Sequence, residues 1–291
     1  VPDIDIHGLV KKRTLTEAEA VTIEQLITAC NNYEGLHMRI DVGALCHRPG
    51  GEADDFLYYE DGALVGYLYV EGWGGRDREI VGMVHPDYRR RGIFSSLLAA
   101  AKEECRQRDV RKLILVCEHC SQSGFSFVHA IKAQHEYSEY EMFLGTFRER
   151  RKVQQGLHIR QANKHDLDAI VSILATDSGN VDSISLWVTK LFDDPSSRFY
   201  MATLDDKPLG CLRLDFMSDQ IGIYAFEVRL GYRGLGYGRQ MLEEAIRAIR
   251  CESQKRIMLD VETDNINAID LYLSCGFEIK TTYDYYDLNI L

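Results

Sequence analysis

Apolar positions along the second half of the chain switch between two spacings. Residues 199–204 and 210–215 read as strands on either side of the turn Asp205-Asp206-Lys207-Pro208, and residues 221–230, 256–261 and 280–290 as three more. Met241, Leu242, Ala245, Ile246 and Ile249 recur at helical spacing, and residues 267–274 form a shorter helix. Upstream, LHIRQANKHDLDAIVSIL opens as a strand and passes into a helix, with Asp166 as its N-terminal cap and Leu167, Ile170, Ile173 and Leu174 on one face. The first half gives the same order. Strands followed by crossover helices predict an α/β fold, α+β by some schemes, with a twisted mixed sheet flanked by helices.

The chain also repeats itself. Val84-His85-Pro86-Asp87-Tyr88-Arg89-Arg90-Arg91-Gly92 matches Val228-Arg229-Leu230-Gly231-Tyr232-Arg233-Gly234-Leu235-Gly236 at the valine, the tyrosine, the first arginine and the last glycine. The separation is 144 residues throughout, and it also sets Glu118 on Glu262. Residues 147–156, FRERRKVQQG, are basic and lack apolar periodicity, as a linker does. The expected division is therefore an N-terminal copy at 1–150 and a C-terminal copy at 151–291.

Composition narrows the function. The 291 residues hold 45 acidic against 34 basic side chains, for a formal charge of −11, which argues against a nucleic-acid or membrane-surface partner. No apolar run approaches the ~20 residues of a membrane span, and VPDIDIHGLVKKRTLTEAEA lacks a signal-peptide core. The reading is a soluble, cytoplasmic protein. Eight cysteines are scattered, and Cys117-Glu118-His119-Cys120 has no second ligand pair to complete a metal site, so no metal is expected.

The chemistry centres on Arg233-Gly234-Leu235-Gly236-Tyr237-Gly238, between a strand and a helix. Glycines there let backbone amides approach a ligand, and a helix beginning at the loop adds unpaired donors and a positive dipole end, which suits a pyrophosphate. Arg233 and Arg239 flank it with charge. A P-loop is excluded because Gly238 is followed by Arg239-Gln240, and a dinucleotide fingerprint because the glycines fall at 234, 236 and 238, four strands into the unit.

The loop does match R-x-x-G-x-G of the GNAT acetyltransferase superfamily. Downstream, Asn265-Ile266-Asn267-Ala268-Ile269-Asp270-Leu271-Tyr272-Leu273-Ser274-Cys275-Gly276-Phe277 resembles that family's N-x-x-A-x-x-L-Y-x-x-x-G-F signature. The resemblance covers residues 157–290 and, more weakly, 14–144. It implies that amides from Arg233 to Arg239 (Gly234, Leu235, Gly236, Tyr237 and Gly238 between them) hold the pyrophosphate of acetyl-coenzyme A. It further implies that the Val228 backbone pairs with the pantetheine arm, that Asn265 contacts that arm, and that Tyr272 protonates the leaving thiolate. Glu227, on the strand before the loop, is the candidate base, with Asp215 and Glu262 as rivals. Alternation sets Glu227 on the face opposite Phe226 and Val228 and leaves open which face meets the substrate.

The first copy departs from the pattern. Gly238 corresponds to Phe94, Asn265 to Ser121 and Tyr272 to Val128, which cannot donate a proton. The expectation is a tandem N-acetyltransferase with a catalytic C-terminal copy, acting by direct transfer on a small-molecule or peptide amine. A non-enzymatic acyl-coenzyme A sensor or scaffold is the alternative.

Overall fold

The computed structural model describes residues 7–38, 40–48, 50–72, 76–150, 156–178 and 181–289. Residues 151–155, the centre of the expected linker, and Ile290 lie outside them. Contacts divide the chain into two compact units, residues 1–138 with 281–291, and residues 139–280.

The first unit orders its strands β1 (Gly8–Lys12), β2 (Asp55–Glu60), β3 (Ala63–Glu71), β4 (Asp77–Val84) and β5 (Lys112–Glu118), and β5 then pairs with residues 283–289. Helices α1 (Glu17–Glu34) and α2 (Val42–Cys46) share one apolar cluster with the sheet, and α3 (Ile93–Gln107) and α4 (Gln122–Ala130) the other. Thr16 and Glu19 close a reciprocal capping box that starts α1.

In the second unit the neighbours run from residues 139–143 of β6 (Gln134–Leu144) to β11 (Arg256–Glu262), β10 (Gln220–Val228), β9 (Lys207–Phe216), β8 (Ser197–Leu204) and β7 (Leu157–Gln161). Helices α5 (Leu167–Ser178) and α6 (Val181–Phe192) pack on one face around Ile170, Val188 and Cys211. On the other face, α7 (Tyr237–Glu252) buries the expected stripe of Met241, Leu242, Ala245, Ile246 and Ile249, beside α8 (Ile266–Cys275). The last strand, β12 (Phe277–Asn289), begins three residues before the expected 280.

The expected cut at 150/151 follows the sequence repeat, whereas the compact units exchange their last strands about it. At the 144-residue spacing β6 and β12 are counterparts, yet β11 takes β6 and β5 takes β12. Three local readings are corrected. Asp166 does not cap α5: it ends a short 3-10 turn capped by Asn163, and its carboxylate pairs with Arg160 at 2.7 Å. The hairpin turn is only Asp205-Asp206, both at positive φ, so Lys207 and Pro208 already lie in β9. Helix α6 was not anticipated.

Both units break their ladder at one place. All strand pairs in each unit are antiparallel except β4–β5 and β10–β11. These parallel pairs stop at Ile80–Leu115 and Ile223–Leu259, although all four strands continue. The ladder ends there and leaves a gap in the pairing at the strands' C-terminal ends.

A chain ending at Lys280 should lose the fold of its first unit. It would lack Tyr283, Tyr285, Tyr286 and Leu288, all buried against that unit. At roughly 1.5–3 kcal/mol each, their loss is comparable with the stability of a whole domain. Thermal unfolding by circular dichroism should show one cooperative transition fewer, and an unchanged melting profile would refute the assignment of this strand.

Candidate active site

A bulge in β10 begins where its pairing with β11 ends. Tyr224 to Glu227 on β10 faces Arg213 to Cys211 on β9, so three steps oppose two. Ala225 absorbs the extra residue in the left-handed region, at φ 47°. The bulge also chooses the faces. Phe226 and Val228 pack on the α7–α8 side, whereas Glu227 stands opposite Cys211, whose cluster lies under α5 and α6.

Tyr272 reaches the gap from α8. It is 7 % exposed, and its ring lies 6.3 Å from Phe226 and 5.9 Å from Phe277. Burial, and then the negative charge of Glu227, push its phenol above the ordinary tyrosine range, so it holds its proton at neutral pH. Glu227 and Tyr272 therefore sense each other from opposite faces of one strand end. A carboxylate on one side and a phenol on the other can serve a reaction between them, one taking a proton and one giving it.

The rival bases sit elsewhere. Asp215 is ion-paired with Arg213 at 2.7 Å, at a level where β10 and β11 are still joined, and burial pushes its carboxyl up. Arg213 itself is 3 % exposed and stacked between Trp187 and Tyr224, a pairing with no signal in the sequence. Glu262 ends β11 and is exposed.

After β10 the chain makes a single turn at Leu230–Tyr232, passes Arg233, and enters α7. Gly234 and Gly236 hold φ of 77° and 92°, and Gly236 caps α7 with no side-chain hydrogen bond. No side chain caps the first amides of α7 among the described residues, and a Cβ at Gly234 would meet open space. Uncapped donors, open surroundings and a positive helix end fit a diphosphate. Arg233 donates through Nε to the Val228 carbonyl at 2.8 Å and through its other end to Glu227. Arg239 turns away from the loop: its guanidinium lies on Glu243, Ser274 and Cys275. Asn265 caps α8 by accepting from the Ala268 amide at 3.3 Å.

The first unit keeps the backbone of this arrangement and fills it differently. Arg89 Nε donates to the Val84 carbonyl at 3.1 Å, as Arg233 does to Val228. Gly92 caps α3 at φ 81°, and Arg90 takes the left-handed conformation of Gly234. A Cβ on Gly238 would lie 3.6–3.7 Å from Val228, Leu271 and Phe226, so this position faces the strand end and α8. Its counterpart Phe94 packs edge-to-face on Phe127, the counterpart of Leu271, with ring centres 4.6 Å apart. From α1, Glu34 bridges Arg89 and the Ser121 hydroxyl, and Glu118 accepts from the His37 amide at 2.6 Å and from Thr281 at 2.9 Å. Among the described residues no group of three potential ligands could hold a metal, and no helix is long and apolar enough to cross a membrane.

Comparison with known proteins agrees with this geometry. The sequence profile of the Acetyltransferase (GNAT) family matches residues 22–125 and again 160–277. A mycothiol acetyltransferase of Kineococcus radiotolerans is 26% identical, over 96% of this chain and 91% of that protein. One from Geodermatophilus obscurus is 26% identical over 79% and 80%. Among solved structures, a GCN5-related N-acetyltransferase from Sphaerobacter thermophilus superposes with TM-score 0.78 at 18% identity, over 97% of this chain and 96% of that one. A tandem GNAT protein from the clavulanic acid biosynthesis pathway gives 0.70 at 18%, over 97% and 98%. With its fold and both halves matched, this chain belongs to the GNAT acetyltransferase family as a tandem member.

Proposed function

We propose that the second unit transfers the acetyl group of acetyl-coenzyme A directly to an amine, and that the first unit is not catalytic. The observation that carries this reading is the parted ladder between β10 and β11, with Glu227 on one face and Tyr272 on the other. Amides from Arg233 to Arg239 hold the diphosphate of the co-substrate, and the Val228 backbone and Asn265 align its pantetheine arm. Glu227 accepts a proton from the ammonium form of the acceptor. The freed nitrogen forms a bond to the thioester carbon, the carbon–sulfur bond breaks as Tyr272 gives its proton to the sulfur, and the cationic nitrogen gives its second proton to the resulting tyrosinate, which restores Tyr272 and leaves a neutral amide. The Val228 amide lies beside the carbonyl and polarises it.

Relatives named mycothiol acetyltransferase favour a small-molecule acceptor over a peptide. Coenzyme A release measured against polyamines, amino acids, amine antibiotics and peptides tests this. Tight acetyl-coenzyme A binding with no turnover on any amine would point to a sensor instead.

Tyr272→Phe should lower kcat by roughly tenfold to a thousandfold while acetyl-coenzyme A affinity changes little, because the proton is needed only in the transition state. Equal kcat in the two proteins would remove Tyr272 from the mechanism. In the first unit the Phe94 ring packs on Phe127 where the second unit has only the hydrogen of Gly238, so the chain should bind one coenzyme A. Gly236→Val, which sets a branched side chain at a left-handed position in the cradle, should abolish that binding in equilibrium dialysis. Two molecules bound per chain, or one retained by Gly236→Val, would return the first unit to the role of a binding site.

A further inference from the structure

Glu227 is held by two donors. Its Oε1 accepts from the Val228 amide at 3.1 Å and from the Arg233 guanidinium. Resting on the function proposed above, these are also groups that acetyl-coenzyme A engages: Arg233 opens the diphosphate cradle and the Val228 amide faces the pantetheine arm. A single carboxylate oxygen thus shares its donors with the co-substrate.

We infer that acetyl-coenzyme A releases the base: by drawing Arg233 and the Val228 amide to itself, it frees the Glu227 carboxylate to receive the proton of the amine. The physical reason is competition for donors. A diphosphate carries more negative charge than a carboxylate and offers more acceptor oxygens, so it takes the guanidinium. An amide that turns to the pantetheine arm or the thioester is likewise lost to Glu227. A carboxylate stripped of donors is left with lone pairs for the incoming ammonium. Arg233 and Glu227 are both partly exposed, with side-chain accessibilities of 41% and 28%, so their pairing is weak enough to exchange. Before the co-substrate arrives, Arg233 and the Val228 amide occupy Oε1 of the base.

The competition runs in both directions, so removing the charge on Glu227 must help the co-substrate. Glu227→Gln should bind acetyl-coenzyme A about twofold to fivefold more tightly than the wild type in isothermal titration, the worth of a partly exposed ion pair. The gain should shrink as salt is raised. Unchanged or weaker affinity, with turnover lost, would overturn the coupling while leaving Glu227 as the base. Wild-type turnover in Glu227→Gln would remove the base itself and the coupling with it.

A second measurement uses S-acetyl-pantetheine, which lacks the diphosphate. It cannot draw Arg233 away, so in Arg233→Gln, where the tether is already gone, its kcat should exceed that of the wild type with the same donor severalfold. A kcat no higher than wild type would also overturn the inference.

Discussion

The structure depends on an interruption of hydrogen bonding. Two parallel strands, β10 and β11, begin as partners and then separate after Ile223 and Leu259. Backbone groups left without a ladder must be satisfied another way, since a buried orphan costs about as much as a lost hydrogen bond. Here Arg233 takes the Val228 carbonyl and Glu227 takes the Val228 amide. The bulge at Ala225 follows from the same constraint: it lets β10 stay bonded to β9 while bending from β11. Each feature of the candidate site is thus a response to one missing stretch of sheet.

The two units share a backbone scaffold and differ in the side chains that fill it. Their turns, left-handed loop positions and arginine-to-carbonyl bonds coincide at a fixed spacing, so the backbone solution has been kept twice. What differs is the material in the gap. The second unit sets a glycine and a tyrosine where the first sets Phe94 and Val128, and the first ties α1 to α4 through Glu34. In the first unit this place holds apolar packing between Phe94 and Phe127 and an ion pair from Glu34 to Arg89.

Much of this was legible in the sequence for identifiable reasons. Glycines at left-handed positions and the asparagine-to-phenylalanine motif are local signals, and they placed the loop, α8 and Tyr272. The stripe of Met241 to Ile249 is equally local. The bulge was not legible, because Ala225 carries no glycine or proline to mark it, and without the bulge the face of Glu227 stayed undecided. Arg239 reads as a loop cation in sequence, yet Glu243 one turn on and Ser274 from α8 hold it elsewhere. Arg213 and Asp215 look like ordinary strand charges. Strand exchange was invisible for a deeper reason: β6 and β12 are counterparts with similar patterning, and nothing local says which neighbour each will choose.

That exchange sets a schedule for folding. The edge of β5 is completed by contacts 163 and 165 residues away in sequence, from Glu118 to Thr281 and from His119 to Asp284. Residues 112–118 must wait for residues 283–289 to be made, so the first compact unit is not complete when its own first strands leave the ribosome. Until then β5 presents an open edge, with Leu113 and Leu115 behind it, to any other extended chain nearby. Closing so long a loop is also slow. A tandem protein of this kind is therefore exposed to mispairing on the ribosome in a way that two beads on a string are not, and its yield in a cell depends on what shields that edge until the final strand arrives.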